Sequence, residues 1–96
     1  MVETTQQQID INKAAYVLKN VALKTPLQFH RKLSGKFGAE IYLKREDLQV
    51  VRSYKIRGAY NLIQSLTEEQ RKCGVVCASA GNHAQGVAFS CRELNI

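Results

Sequence analysis

Two short stretches hold the residues best suited to chemistry. The first is Ser53-Tyr54-Lys55-Ile56-Arg57-Gly58-Ala59, in which Lys55 stands at the start of a predicted helix. A lysine there faces the positive end of the helix dipole, and Arg52 and Arg57 are close in sequence. Both influences favour the neutral amine that a Schiff-base lysine needs. The same residues also describe an ordinary exposed helix lysine, so spacing alone leaves both readings open. The Ser-x-Lys spacing is one residue short of the Ser-x-x-Lys of serine acylases, which sets that chemistry aside.

The second stretch is Ser79-Ala80-Gly81-Asn82-His83, where a predicted strand turns into a predicted helix. Ligands of parallel sheets bind at the carboxyl ends of the strands. A helix amino terminus offers a phosphate or carboxylate free N–H groups and a positive dipole. Ser79, with the N–H groups around Gly81 and Asn82, is positioned to grip such an anion. The plain alternative is Asn82 as an N-cap and Gly81 as a turn. His83 has no Cys or Ser nucleophile at motif distance. Gly81-x-x-x-x-Gly86 is followed by Val87 rather than Lys, so it is no P-loop.

The elements around these stretches follow from periodicity. Residues 1–8 read as a flexible tail. Ile11, Ala15, Leu18 and Ala22 recur at helical spacing, with Asp10 as N-cap, and that helix must stop before Thr25-Pro26. Leu27-Gln28-Phe29 is a short strand, and His30 to Leu33 a helical turn or two ended by Gly35 and Gly38. Glu40 to Lys44 alternates and is β-rich, hence a strand, with a polar loop following through Gln49. Tyr54 to Leu66 is a helix capped by Ser53, with Ile56, Ala59, Tyr60 and Ile63 on its inner face. Thr67-Glu68-Glu69-Gln70 has the capping-box form. Gly74 to Ala78 is wholly apolar, as a buried parallel strand is. Asn82 to Leu94 is a helix with Ala84, Val87, Ala88 and Cys91 inward. The second half is therefore strand, helix, strand, helix, a parallel α/β order.

Composition narrows the function classes. Ninety-six residues make one domain at most. The 45% apolar content is that of a globular chain, which excludes collagen, coiled coil and wholesale disorder. No apolar run approaches the ~20 residues of a membrane span. The amino terminus lacks a signal core, and no arginine precedes Arg31, so neither a secretory nor a transit peptide is expected and a cytoplasmic location is. Cys73, Cys77 and Cys91 make no disulfide framework and no zinc spacing, so they are expected as buried free thiols, and no metal site is expected.

Fourteen basic against eight acidic residues give a charge of +6. The excess gathers at Lys44, Arg45, Arg52, Lys55 and Arg57. A nucleic-acid binder is the first thought for such a chain. No zinc finger, RNP or basic-zipper pattern accompanies the charge, and no aromatics are interleaved as stacking platforms. A partly solvated face or a pocket for a small anion accounts for it better.

Taken together the motifs are specific. Lys44-Arg45-Glu46-Asp47-Leu48-Gln49, then Ser53 to Asn61, then Ser79-Ala80-Gly81-Asn82-His83-Ala84-Gln85-Gly86 closely resemble the threonine dehydratases, pyridoxal-phosphate enzymes of the tryptophan-synthase-like fold type II. Thr25-Pro26-Leu27 matches as well, and the resemblance runs from about Ile11 to Ile96. It implies that Lys55 is the Schiff-base lysine and the base at the substrate Cα. It implies that Asn82 bonds the cofactor's ring hydroxyl oxygen, and that Ser79, Ala80, Gly81, Asn82 and His83 bind the substrate carboxylate. Tyr54 stands where the family usually has Phe against the cofactor ring, which keeps the aromatic face and adds a hydroxyl.

The implied reaction is the pyridoxal 5'-phosphate-dependent deamination of L-threonine to 2-oxobutanoate and ammonia, the first step of isoleucine biosynthesis, with L-serine giving pyruvate. The sequence context leans to the biosynthetic type. Serine dehydratase, serine racemase and a non-catalytic truncated fragment are the alternatives. A homo-oligomeric parent protein is implied, with no nucleic-acid or membrane partner.

The family's glycine-rich phosphate loop, its later Ser or Cys facing the pyridine nitrogen, and the regulatory domain of the biosynthetic type have no counterpart here. Residues 9–96 are thus expected to be the amino-terminal part of a truncated catalytic domain. The isolated chain is expected to bind the cofactor poorly and to yield no 2-oxobutanoate from threonine in a keto-acid assay.

Overall fold

The computed structural model describes residues 9–96; the predicted tail, residues 1–8, lies outside the described residues. The chain runs α1 (Ile11–Leu18), β1 (Leu27–Phe29), α2 (Arg31–Phe37), β2 (Tyr42–Lys44), a 3₁₀ turn (Glu46–Leu48), α3 (Lys55–Ile63), α4 (Glu68–Cys73) and α5 (Asn82–Leu94). Local signals set most of the boundaries. The Asp10 carboxylate accepts from the Lys13 N–H at 2.9 Å, starting α1. Thr67 and Gln70 complete the capping box of α4.

Helix α2 runs through Gly35 and ends at Gly38, whose φ of 60° is the left-handed cap. The expected stop at Gly35 does not occur. His30 Nδ1 accepts from the Leu33 N–H, and the helix carries on. Gly35 faces open space. Gly35→Ala is therefore expected to stabilise the chain by about 0.5–1 kcal/mol through helix propensity and a less free unfolded state. A thermal melt read by circular dichroism checks it.

Strands β1 and β2 pair antiparallel, with Leu27 opposite Lys44 and Phe29 opposite Tyr42. The Phe29 and Tyr42 rings meet edge to face at 5.4 Å. This is the sheet of the described residues. The segment Gly74–Ala78 forms no strand ladder, and Val76 is 96% exposed. The expected buried parallel strand is thus corrected. A strand needs a neighbour for its N–H and C=O groups, and none of the described strands lies beside this segment.

The core lies between α3 and α5. Ile56, Ala59 and Ile63 are buried on α3, and Gly86, Val87 and Ser90 on α5. Leu66, Val75, Cys91, Leu94 and Ile96 pack around Ala59, Ile63 and Val87. Ala88 is exposed, contrary to the expected inner face, because the glycine at 86 draws that side of α5 onto α3. On α1, Ile11 and Ala15 are exposed while Ala14, Val17 and Leu18 are half-buried, so the inner stripe is rotated from the expected one. Cys73 and Cys77 are exposed and Cys91 half-buried, which corrects the expectation of buried thiols. The chain exposes 8075 Å², against about 5,500 Å² for a self-contained domain of its mass.

Candidate functional site

The six residues Lys44 to Gln49 form a structural buckle. Lys44 Nζ donates to the Thr25 carbonyl. Arg45 grips Asp47 through both ends of its guanidinium, at 2.8 and 2.9 Å, and reaches Gln28. Glu46 accepts from the Thr25 hydroxyl at 2.6 Å, from Gln49, and twice from the Arg57 guanidinium at 2.8 and 2.9 Å. Gln49, fully buried, pairs with Leu23 as a strand neighbour would: its amide donates to the Leu23 carbonyl and its oxygen accepts the Leu23 N–H.

This buckle ties the 23–25 segment to the start of α3. The Arg57 guanidinium, with help from Thr25 and Gln49 against the opposing effect of burial, lowers the Glu46 carboxyl to a pKa of about 2. The bonds that stabilise the carboxylate therefore outweigh its desolvation. Two of the five gathered cations, Arg45 and Arg57, are thus committed to ion pairs.

Between the buckle and α3 the chain turns sharply. Arg52 takes the left-handed conformation at φ 65°, an uncommon and strained one for a residue with a Cβ. The turn brings the Ser53 hydroxyl to accept from the Lys55 N–H at 3.3 Å. The helix proper starts at Lys55, with Tyr54 at the cap position and Ser53 supplying the bond that the sequence assigned to it.

Lys55 opens onto a cavity of about 390 Å³, a size typical of small-molecule sites. Tyr54, Lys55 and Gly58 line one side; Val75, Val76 and Cys77 another; His83 and Val87 of α5 a third. Ala59, Leu62 and Ile63 also contribute, so the walls are mainly apolar. Lys55 Nζ lies 5.3 Å from the Tyr54 ring centroid, over its face. Of the residues singled out from sequence, the fold brings Tyr54, Lys55 and His83 together here.

Ser79, Ala80, Gly81 and Asn82 stand apart from the lining, exposed at the amino end of α5. Gly81 rather than Asn82 is the N-cap residue. The Ser79 hydroxyl accepts from the N–H groups of Gly81 and Ala84, each at 3.2 Å. Among the described residues the N–H groups of Asn82 and His83 have no partner. The end of α5 thus retains two donors aimed away from the helix, the equipment for an anion.

Sequence reasoning overlooked Gly86 as part of this site. A Cβ there would lie 3.0 Å from the Lys55 carbonyl oxygen and 3.4 Å from the Ala59 Cβ. The sequence signal was a lone glycine inside a helical pattern, which usually has a packing reason.

Comparison with known proteins shows the family. Residues 18–96 match the model of the pyridoxal-phosphate dependent enzyme family. The chain belongs to that family. It is 59% identical over 88 residues to the biosynthetic L-threonine dehydratase IlvA of Mycobacterium leprae (strain TN), covering 92% of this chain and 21% of that protein. It is 60% identical over 86 residues to the enzyme of the same name from Bacillus subtilis (strain 168), covering 90% of this chain and 20% of that protein.

Among solved structures it is similar to the processed form of threonine deaminase isoform 2 from Solanum lycopersicum. The TM-score is 0.72 and the identity 44%, over 90% of this chain and 26% of that one. Maize serine racemase gives a TM-score of 0.80 at 34% identity, over 90% and 27% of the two chains. The chain spans about a fifth of the length of the curated relatives it matches. Its fold is a piece of the fold type II architecture of such enzymes.

The residues present fit the family's cofactor. A primary amine, an aromatic ring beneath it and apolar walls enclose a cavity wide enough for a pyridine ring, with an anion-ready helix end beside it.

Proposed function

We propose that this chain supplies the cofactor-binding lysine and the substrate-carboxylate loop of a threonine dehydratase of the biosynthetic type. The reaction is the deamination of L-threonine to 2-oxobutanoate and ammonia, the entry to isoleucine biosynthesis. The observation that carries the reading is one cavity that joins the Lys55 amine to the His83 end of α5. Identities of 59% and 60% to the two biosynthetic relatives support the choice of substrate.

In this reading Lys55, Tyr54 and Asn82 would hold pyridoxal 5'-phosphate: Lys55 as the attachment point, Tyr54 as the aromatic face and Asn82 as a partner for its ring hydroxyl oxygen. When bound, its contribution is an electron sink for the charge that develops at the substrate Cα. Lys55 Nζ would remove the Cα proton and hold it. The β-hydroxyl would then leave as water with the proton that Lys55 holds, and hydrolysis of the released enamine would give the keto acid and ammonia.

The N–H groups of Asn82 and His83, with Ser79, Ala80 and Gly81 shaping the turn, hold the substrate carboxylate. This fixes which face of Cα meets Lys55. Ala59, Leu62 and Val87 give the cavity its apolar walls. The reading carries with it a cytoplasmic, homo-oligomeric whole protein; no helix among the described residues is long and apolar enough to cross a membrane.

The likeness to maize serine racemase supports a second reading, in which L-serine is converted to D-serine. One assay of the whole protein separates the two. 2-Oxobutanoate from threonine at a higher kcat/KM than pyruvate or D-serine from L-serine is the expected result. D-serine as the main product, with threonine inert, overturns it.

A further inference from the structure

We infer that Gly86 is a positioning residue for Lys55: its missing side chain lets α5 seat directly on the Lys55 peptide carbonyl. The inference rests on the reading of Lys55 as the cofactor lysine. Gly86 is buried at the crossing of α3 and α5. A Cβ added there would lie 3.0 Å from the Lys55 oxygen and 3.1 Å from its carbonyl carbon. Both are backbone atoms, so no flexible side chain can swing aside. The third neighbour, the Ala59 Cβ at 3.4 Å, is itself buried one turn along α3.

Within α5 the Gly86 carbonyl is also satisfied by a side chain. The Ser90 hydroxyl, with no exposure, donates to the Gly86 carbonyl at 2.7 Å. His83 sits one turn before Gly86 on the same side of α5 and lines the cavity that Lys55 enters. One glycine thus sets both the height of the Lys55 backbone and the width of the opening between Lys55 and His83. A displacement of a few tenths of an ångström, which a methyl group demands here, shifts the amine relative to whatever the cavity holds.

The test uses the whole protein with pyridoxal 5'-phosphate, reduction by borohydride and peptide mass mapping. Labelling of Lys55 is read as a ratio to the exposed Lys13 and Lys32. Gly86→Ala is compared with Gly35→Ala at a temperature where circular dichroism finds each variant as folded as the parent. Gly86→Ala is expected to lower the Lys55 ratio about five- to tenfold, and Gly35→Ala to leave it unchanged. An unchanged ratio in folded Gly86→Ala overturns the inference while leaving Lys55 as the preferred lysine. No preference for Lys55 in the parent overturns the cofactor-lysine reading, and the inference with it. Should Gly86→Ala not fold, native-state hydrogen exchange of the parent decides. The first turn of α3 and the Gly86–Ser90 amides are expected to open together. Protection of that turn while α5 opens overturns the inference.

Discussion

Replacing Lys55 by alanine in the whole protein is expected to remove the preferred borohydride-trapped label and to lower threonine deamination at least about 10³-fold. The size of the loss follows from two roles in one side chain, cofactor attachment and proton transfer at Cα. The fold is expected to survive. Among the described residues no hydrogen bond ties down the Lys55 amine, which lies over the Tyr54 ring at 5.3 Å, a partly exposed cation–π pair of about 0.5–1 kcal/mol. Against that loss, alanine is the better helix former, and a positive charge leaves the amino end of α3. Circular dichroism melts within a few degrees of the parent, together with lost labelling at residue 55, are the expected pair of results. Labelling that merely moves in proportion across all lysines sinks the assignment.

The second large effect belongs to Glu46. Its carboxyl, held to a pKa of about 2 against an ordinary 4.5, is a group whose charged form the fold prefers. Such a group contributes stability that is complete above the unfolded value near 4.5, declines as pH falls below it, and is gone under about 2. The separation of the two values sets a ceiling of about 3 kcal/mol. Arg57, the main cause, keeps 35% of its side chain in solvent, and screening reduces that ceiling to about 2 kcal/mol.

Glu46→Gln is therefore expected to cost about 2 kcal/mol at pH 7, or roughly 10 °C in Tm for a chain of this size. It is also expected to flatten the parent's loss of Tm between pH 5 and pH 2.5. A variant with the parent's full acid sensitivity would show that other carboxylates carry it. Asp47 is the obvious other candidate, since Arg45 also holds its carboxyl below the ordinary range. Its side chain is 59% exposed, and its contribution is accordingly small.

The buckle also changes how the family motif reads. From sequence, Lys44 to Gln49 resembled a signature and its charges resembled an anion pocket. In the fold its polar groups turn on one another and on the backbone at 23–25. Its service to the site is indirect. Glu46 bonds Arg57, two residues beyond Lys55, so the buckle fixes the approach of the strained turn at Arg52 and with it the first turn of α3.

What sequence alone determined here is what local chemistry dictates. The Asp10 cap, the capping box at Thr67–Gln70, the left-handed stop at Gly38 and the start of α5 rest on groups within a few residues, and the amphipathic stripe Ile56–Ala59–Ile63 was legible from helical spacing. The spacing of three motifs was enough to resemble a family that the comparisons then matched.

Tertiary structure decided what depends on distant partners. Whether Gly74–Ala78 becomes a strand turns on a hydrogen-bonding neighbour, and none pairs with it among the described residues. Which side of α5 is buried turned on Gly86 meeting the Lys55 carbonyl. The meeting of Lys55 with His83 in one cavity, twenty-eight residues apart in sequence, is a product of the α3–α5 crossing. Periodicity reports that a face is apolar; only packing selects which apolar face, at what distance, and against which backbone atom.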